Sequence, residues 1–418
     1  MKARNTVLSV VFCLLLLGPT ALFVGQEKMH LDLPGWLTAK NATYLSGGIE
    51  KADIRKHLSL DGFASKELQT SLETAVGNFI PFKASALLDN SSLQRSAIQA
   101  SNILFNYSVY PTFFGSKTAY SPSANALLAF PKTDETYLET ISKTASGIAE
   151  VARRHPEKNF YLVVSDISDS TEANPIAPLL SKRALTTRDF VSSMEKEFNE
   201  TPNVHAVSVT YSDMETYYDN YYTTDHHWNG FGTFATYKAL APVAKLDPAV
   251  ATYSETISFG DYVTNGAYAR EGLMLLNETI TEPKFDLTGL EVQNKKVPPI
   301  ASENSVAKLK KLGLKAAYSF YPQWYGTASQ TAKSPLVNTL LPNGDKAVVI
   351  MDSYADSLHW LLAQNYSYLR CYRDIRDGQS GSETLEERIS EVDAQDIYFV
   401  GSAFAYCRIP RNYPNYFN

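Results

Sequence analysis

The sequence predicts an α/β protein, a three-layer α/β/α sandwich around a flavodoxin-like sheet. Three observations lead there. Helical and strand-like segments alternate over much of the chain. The strand segments are short apolar runs, as in parallel strands covered on both faces. The helical segments carry their apolar residues on one side, so each has a face to lay on a sheet.

At the amino terminus, Lys2 and Arg4 precede an apolar run from Val7 to Gly25. As a helix this run would extend about 28 Å, close to the hydrocarbon thickness of a bilayer. Positive charge before it sends the rest of the chain outside the cytoplasm. Residues 1–25 are therefore expected to be a single-pass transmembrane anchor or a signal peptide that is removed, leaving a secreted protein. The sequence after Gly18-Pro19 offers no good small-x-small cleavage site. Both readings place the protein at the extracytoplasmic face, and no later segment is long and apolar enough to span again.

Residues 26–100 read as a juxtamembrane helical segment, with Leu68, Leu72 and Val76 at helical spacing. Residues 101–418 form the α/β domain. Its helices and strands come in this order: a helix over about Asp134 to Arg153, the strand Phe160 to Val164, a helix carrying Phe190, Met194 and Phe198, and the strand Val204 to Thr210. Residues 242–342 have no clear period and read as a long insertion. The alternation resumes with the strand Ala347 to Met351, a helix over Ala355 to Gln364, and the strand Tyr368 to Cys371. A helix carrying Leu385, Ile389 and Val392 and the strand Ile397 to Val400 complete it.

Composition narrows the function classes. The 418 residues are 44% hydrophobic and 20% charged, which excludes a disordered chain. A net charge of -6 argues against nucleic acid as partner. Three cysteines are too few for a zinc cluster. Outside the cytoplasm, Cys371 and Cys407 are either a disulfide, worth roughly 3–4 kcal/mol, or two buried thiols. The 26 tyrosines suit a surface that binds polar ligands such as sugars, although most such rings simply pack.

Two segments carry chemistry. In the first, Ser353 follows the strand ending at Met351 and precedes a helix, at the carboxyl edge where open α/β sheets collect ligands. A hydroxyl there lies beside free helix N–H groups that can stabilise an oxyanion. Asp-Ser before a helix is also an ordinary cap. In the second, Asp225 and His227 stand two apart and can supply a base and the carboxylate that orients it. Asp225, His226 and His227 are also possible metal ligands, but adjacent histidines tend to point apart, so no metal is expected.

The run Thr224-Asp225-His226-His227-Trp228 followed by Asn229-Gly230-Phe231-Gly232 resembles the signature of the DHHW proteins, which are similar to alginate O-acetyltransferase J- and X-like proteins of the SGNH hydrolase-like group. Asp352-Ser353-Tyr354-Ala355-Asp356-Ser357 with Tyr368, Arg373 and Asp374, and Phe79-Ile80-Pro81-Phe82, resemble further family segments. The resemblance implies Ser353 as nucleophile, His227 as base and Asp225 as its orienting acid, in an order circularly permuted relative to ordinary SGNH hydrolases. The family's glycine before Asp-Ser is Met351 here, and no motif places a second oxyanion donor, for which Gly401-Ser402 at the end of the last strand offers only a position. Trp228, Tyr354, Tyr221 and Tyr222 are expected to touch substrate, with Tyr211, Tyr217 and Tyr218 beside them.

The implied activity is O-acetylation of a cell-surface or secreted polysaccharide through an acyl-serine, without a cofactor. The donor would come from a multi-pass membrane O-acyltransferase. The alternatives are a carbohydrate acetylesterase with the same triad and a non-catalytic polysaccharide-binding or assembly protein.

Overall fold

The computed structural model describes residues 57–78, 83–106, 109–112, 118–198, 200–272, 274–297, 334–373, 384–412 and 415–417. The apolar run of residues 7–25 and the Phe79–Phe82 turn lie outside them. Among the described residues no helix is long and apolar enough to cross a membrane. The chain divides into two units. One takes Met1–Tyr107, Pro111–Lys117 and Ala269–Leu275, and the other takes Ser108–Tyr110, Thr118–Tyr268 and Leu276–Asn418.

The first unit is helical: α1 (Leu60–Ala64), α2 (Glu67–Asn78) and α3 (Lys83–Phe105). Ser59 starts it by accepting the Gly62 N–H at its side-chain oxygen.

The second unit is mixed α/β. After a hairpin of β1 (Thr118–Ser121) and β2 (Ala126–Ala129) come α4 (Thr136–Arg154), β3 (Asn159–Ser165), α5 (Thr187–Glu197) and β4 (Val204–Val207). Next are α6 (Met214–Asn220), α7 (Gly230–Ala244) and a second hairpin, β5 (Tyr253–Thr264) and β6 (Glu278–Phe285). Short strands β7 (Leu290–Val292), β8 (Lys295–Lys296) and β9 (Leu336–Asn338) follow. The chain continues with β10 (Lys346–Met351), α8 (Ala355–Ala363), β11 (Tyr368–Tyr372), α9 (Leu385–Val392), β12 (Asp396–Ser402), α10 (Ala403–Tyr406) and α11 (Ile409–Asn412).

One sheet of eight strands runs β4-β3-β12-β10-β11-β9-β7-β8. Its first five strands are parallel and the last three are antiparallel additions. Counted from β10, the strand before Ser353, the parallel strands take the order 2-1-3-4-5 of flavodoxin-like sheets. The polypeptide enters that arrangement at its fourth strand.

Alternate residues of each strand point to opposite faces and build two cores. Phe160, Leu162, Val348, Ile350, Ile397 and Phe399 face α4, α5 and α9, where Ile141, Phe190 and Ile389 meet them. Tyr161, Val163, Ala347, Val349, Tyr398 and Val400 face α7 and α8, where Tyr237, Leu240 and Leu361 meet them. Local signals agree with these ends. Capping boxes start α5 at Thr186/Asp189 and α9 at Thr384/Glu387, and Arg153 and Arg154 sit in the last turn of α4.

The structure sharpens two readings, that of the insertion and that of the cysteines. The insertion is partly woven into the sheet: β7 and β9 extend it, and β5–β6 forms a separate hairpin. Strands of two or three residues are too short to show a period, and β5 carries register shifts. Cys371 and Cys407 are buried free thiols. They belong to cores on opposite faces of the sheet, which rules out a bridge.

Candidate active site

The β10 residues Ala347 to Ile350 are fully buried, so the strand is fixed by packing up to its carboxyl end. There the chain turns. The Asp352 N–H donates to the Val400 carbonyl at 3.1 Å, which ties the turn to β12. The Asp352 carboxylate then accepts the Tyr354 N–H at 2.8 Å and the Ser402 N–H at 3.3 Å. Burial pushes this carboxyl up to about 6, against the opposing pull of the Tyr354 N–H and His227.

Asp352 thus braces the turn ahead of α8, which begins without a side-chain cap, so Ser353 does not take the capping role that the sequence left open for it. The Ser353 hydroxyl points elsewhere, to His227 Nε2 at 2.7 Å. The same geometry leaves Gly401-Ser402 a poor place for an oxyanion donor, because the Ser402 amide already serves Asp352. The first turn of α8 is held further by the Arg373 guanidinium, which donates to the buried Asp356 carboxylate.

The partner loop is built by three local devices. Asp213 caps α6 by accepting the Thr216 N–H at 2.8 Å. Tyr221 and Trp228 form an antiparallel bridge that closes the segment between them. Asn229 caps α7 by accepting the Gly232 N–H at 3.0 Å. Both glycines of Asn-Gly-Phe-Gly are required by close approach. A Cβ at Gly230 would lie 2.5 Å from the Glu282 carboxylate, and one at Gly232 would lie 2.2 Å from the Asn220 carbonyl.

Within that loop, Asp225 Oδ1 accepts from the His227 backbone N–H at 3.0 Å and lies 2.6 Å from His227 Nδ1. Its Oδ2 accepts the Ala267 N–H at 2.5 Å. The Asp225 side chain is 1% exposed and that of His227 is 10% exposed. A carboxylate facing Nδ1 sets the proton there and leaves Nε2 as acceptor for the Ser353 hydroxyl. Asp225, His227 and Ser353 are therefore brought into one continuous hydrogen-bonded line.

His226 is 35% exposed, with Nδ1 3.4 Å from Asp225 Oδ1. Its ring lies 4.0 Å from that of His227, so the two rings do not point apart as expected. A tight turn, in place of an extended chain, puts both on one side. Asp225, His226 and His227 offer ligand atoms within 4.8 Å of one another, the only such group among the described residues. The donor chemistry fits a cation poorly, because His227 directs Nδ1 at Asp225 and Nε2 at Ser353.

The residues that hold this loop come from β6. Glu278 accepts the Thr223 N–H at 2.7 Å, the Thr224 N–H at 3.2 Å and the Thr224 hydroxyl at 2.7 Å. Glu282 accepts the Gly230 N–H at 2.7 Å and the Tyr222 hydroxyl. Burial pushes both carboxyls up to about 7, with those hydrogen bonds pulling the other way. Sequence reasoning passed over Glu278 and Glu282. Their signal was two acids four apart in the run Glu278 to Phe285, on one face of a strand.

Four expected substrate contacts are corrected. Trp228, Tyr354, Tyr221 and Tyr222 are each 1–2% exposed, which leaves no ring face free for stacking on a sugar, although Tyr221 and Tyr222 help line a cavity. They brace the site. The Trp228 indole N–H reaches the Tyr354 carbonyl at 3.1 Å and Ser357 Oγ at 2.9 Å, tying the loop to the start of α8. The Tyr354 hydroxyl donates to the His226 carbonyl at 2.8 Å. Tyr221 stacks on Tyr217 at 4.3 Å.

No protein-family model matches the sequence, and no curated protein matches it. Among solved structures, the chain is similar to a DHHW family protein from Eubacterium siraeum, at 15% identity over 71% of this chain and 94% of that one, with a TM-score of 0.47. It is similar to PatB1 of Bacillus cereus at 16% identity, covering 67% and 94% of the two chains, with a TM-score of 0.45. It is also similar to the O-acetyltransferase domain of Pseudomonas putida AlgJ at 12% identity, covering 71% and 92%, with a TM-score of 0.35.

Proposed function

We propose that the protein is an extracytoplasmic O-acetyltransferase that acylates a hydroxyl of a polysaccharide through an acyl-serine. The observation that carries this reading is the line Asp225–His227–Ser353, with 2.6 Å and 2.7 Å between its members. In the first half-reaction Ser353 Oγ attacks the acyl carbonyl and passes its proton to His227 Nε2. His227 then protonates the departing group, which leaves acyl-Ser353. In the second half, a sugar hydroxyl gives its proton to His227 and attacks the ester. Ser353 leaves and takes that proton back. Asp225 keeps the Nδ1 proton in place and stabilises the imidazolium formed in each half.

The nearest oxyanion donor is the Ser353 amide, which has no hydrogen-bond partner among the described residues, since Asp352 occupies the Tyr354 and Ser402 amides. The motif resemblance supplies the acetyl group, the polysaccharide and the membrane-bound acyl donor. The apolar run 7–25 supplies the anchor at the outer face of the membrane. The same resemblance supports the circularly permuted SGNH-like order.

The test is an incubation of purified protein with a small acetyl ester and candidate glycans, scoring acetylated sugar against free acetate. Acetylated sugar that disappears in Ser353→Ala supports transfer. Free acetate alone from every glycan would make the protein an esterase, and no Ser353-dependent turnover would remove the acyl-serine. Chelators should leave turnover unchanged. Inactivation restored by a divalent metal would favour a metal at Asp225, His226 and His227.

A further inference from the structure

A cavity of about 430 Å³ opens beside the loop that carries Asp225 and His227. That volume lies within the usual range for small-molecule sites, about 300–1,000 Å³. Thr223 and Glu278 line it, so it shares a wall with the loop, but neither Ser353 nor His227 lines it. A ligand there would sit to one side of the reacting hydroxyl.

The lining has a definite chemistry. Tyr218 and Phe231 are half-buried rings, and the Tyr218 hydroxyl is turned inward to the Leu127 carbonyl. Around them stand the exposed Asn125, Asp219, Asn277 and Thr281. Ring flanks with amide and hydroxyl groups at the rim suit a pyranose, which has apolar C–H faces and equatorial hydroxyls. Among the described lining residues there is no Lys, Arg or His, and the charged ones are Asp219 and the half-buried Glu278. A carboxylate or phosphate brought here would find no cation and one exposed like charge.

We propose that this cavity is an acceptor subsite for an uncharged or amine-bearing sugar residue, flanking the sugar that reacts at Ser353. The proposal rests on the acyl-transfer reading for the word acceptor only, since the binding chemistry is read from the cavity. It narrows the polysaccharide to one without a carboxylate on the flanking residue.

The experiment is a calorimetric titration of Ser353→Ala full-length protein with three tetrasaccharides: N-acetylglucosamine, glucosamine and a uronic acid. Binding does not require turnover, so its outcome is independent of whether Ser353 carries an acyl group. That question is read separately from wild-type cleavage of a small acetyl ester. The neutral or the cationic oligomer should bind at least tenfold tighter than the uronate. Phe231→Ala should weaken that binding at least tenfold. Thr281→Trp, a change at an exposed rim position, should do the same by filling the cavity. Asp219→Asn should cost the cationic oligomer more than the neutral one, by about threefold. Uronate binding as tight as the others, no binding of any oligomer at millimolar concentration, or unchanged affinity in both Phe231→Ala and Thr281→Trp would overturn the proposal.

Discussion

Ser353 and the Asp225–His227 pair face each other across one hydrogen bond, yet they are held in opposite ways. The serine stands at the end of a strand whose residues 347–350 are fully buried and apolar, with parallel neighbours on both sides. Its position follows from packing, which is non-directional and tolerant of exchange among similar side chains. The acid and base stand on a loop with no apolar strand of its own. That loop is placed by directed bonds to two carboxylates, Glu278 and Glu282, and by the Ala267 amide on Asp225. Such a polar network is stiff when complete and costly when one member is removed.

The largest effect expected lies in the contact between the two regions. Ser353→Ala and His227→Ala should each lower acyl turnover by about four orders of magnitude or more, since the line works as a unit. Stability should hardly change for Ser353→Ala, because the Ser353 hydroxyl bonds His227 and caps no N–H of α8. An electrophilic serine reagent should label wild type, label His227→Ala poorly and leave Ser353→Ala unlabelled. Wild-type turnover by Ser353→Ala would end the comparison, since there would be no contact to explain.

The next effect separates the two modes of support. Val349→Ala in β10 should cost about 2 kcal/mol of stability while each folded molecule keeps most of its turnover. Glu278→Ala leaves two loop amides and the Thr224 hydroxyl without their acceptor. Its cost should be about 3 kcal/mol, with turnover of the folded fraction down about a hundredfold, because a base displaced by an ångström no longer serves the serine. Denaturation curves and single-turnover rates on both variants check this. Equal turnover in the two would mean that the loop needs no polar support.

That difference also explains what could be read from the sequence. The parallel strands and their covering helices were legible, because apolar runs and 3.6-residue periods are local patterns. The Asp225, His227 and Ser353 positions were legible from a short motif and a strand-to-helix turn. Glu278 and Glu282 were not, because their partners lie some fifty residues away and nothing nearby marks an acid as buried. The burial of the Trp228, Tyr354, Tyr221 and Tyr222 rings is hidden from the sequence for the same reason. Proximity to a motif in sequence says nothing about which face of a ring is covered.

Titration gives a smaller but sharper separation. Burial raises the Glu278 carboxyl from the ordinary 4.5 to about 7. Below pH 4.5 the group is protonated in both folded and unfolded chains. Between there and about pH 7 the unfolded chain ionises first, so the folded state loses stability as pH rises, by on the order of 2 kcal/mol. Above about 7 the loss levels off. Glu278→Gln cannot ionise, so wild type should lose stability relative to it across that window, read from denaturation midpoints at pH 5 and pH 8. A flat difference would mean that Glu278 stays ionised in the fold. In Val349→Ala, which changes no titrating group, the difference from wild type should stay flat.

The smallest effect concerns His226, the member of the motif that belongs to neither mode of support. Its ring lies against that of His227, its Nδ1 is 3.4 Å from Asp225, and it is a third exposed. Asp225 Oδ1 already lies within 2.6 Å of His227 Nδ1, so removing the His226 ring takes away a neighbour and leaves the orienting bond. His226→Ala should lower turnover by less than about tenfold, with unchanged labelling of Ser353. An effect of His226→Ala as large as that of His227→Ala would make the two rings one functional unit and reopen the case for a bound metal.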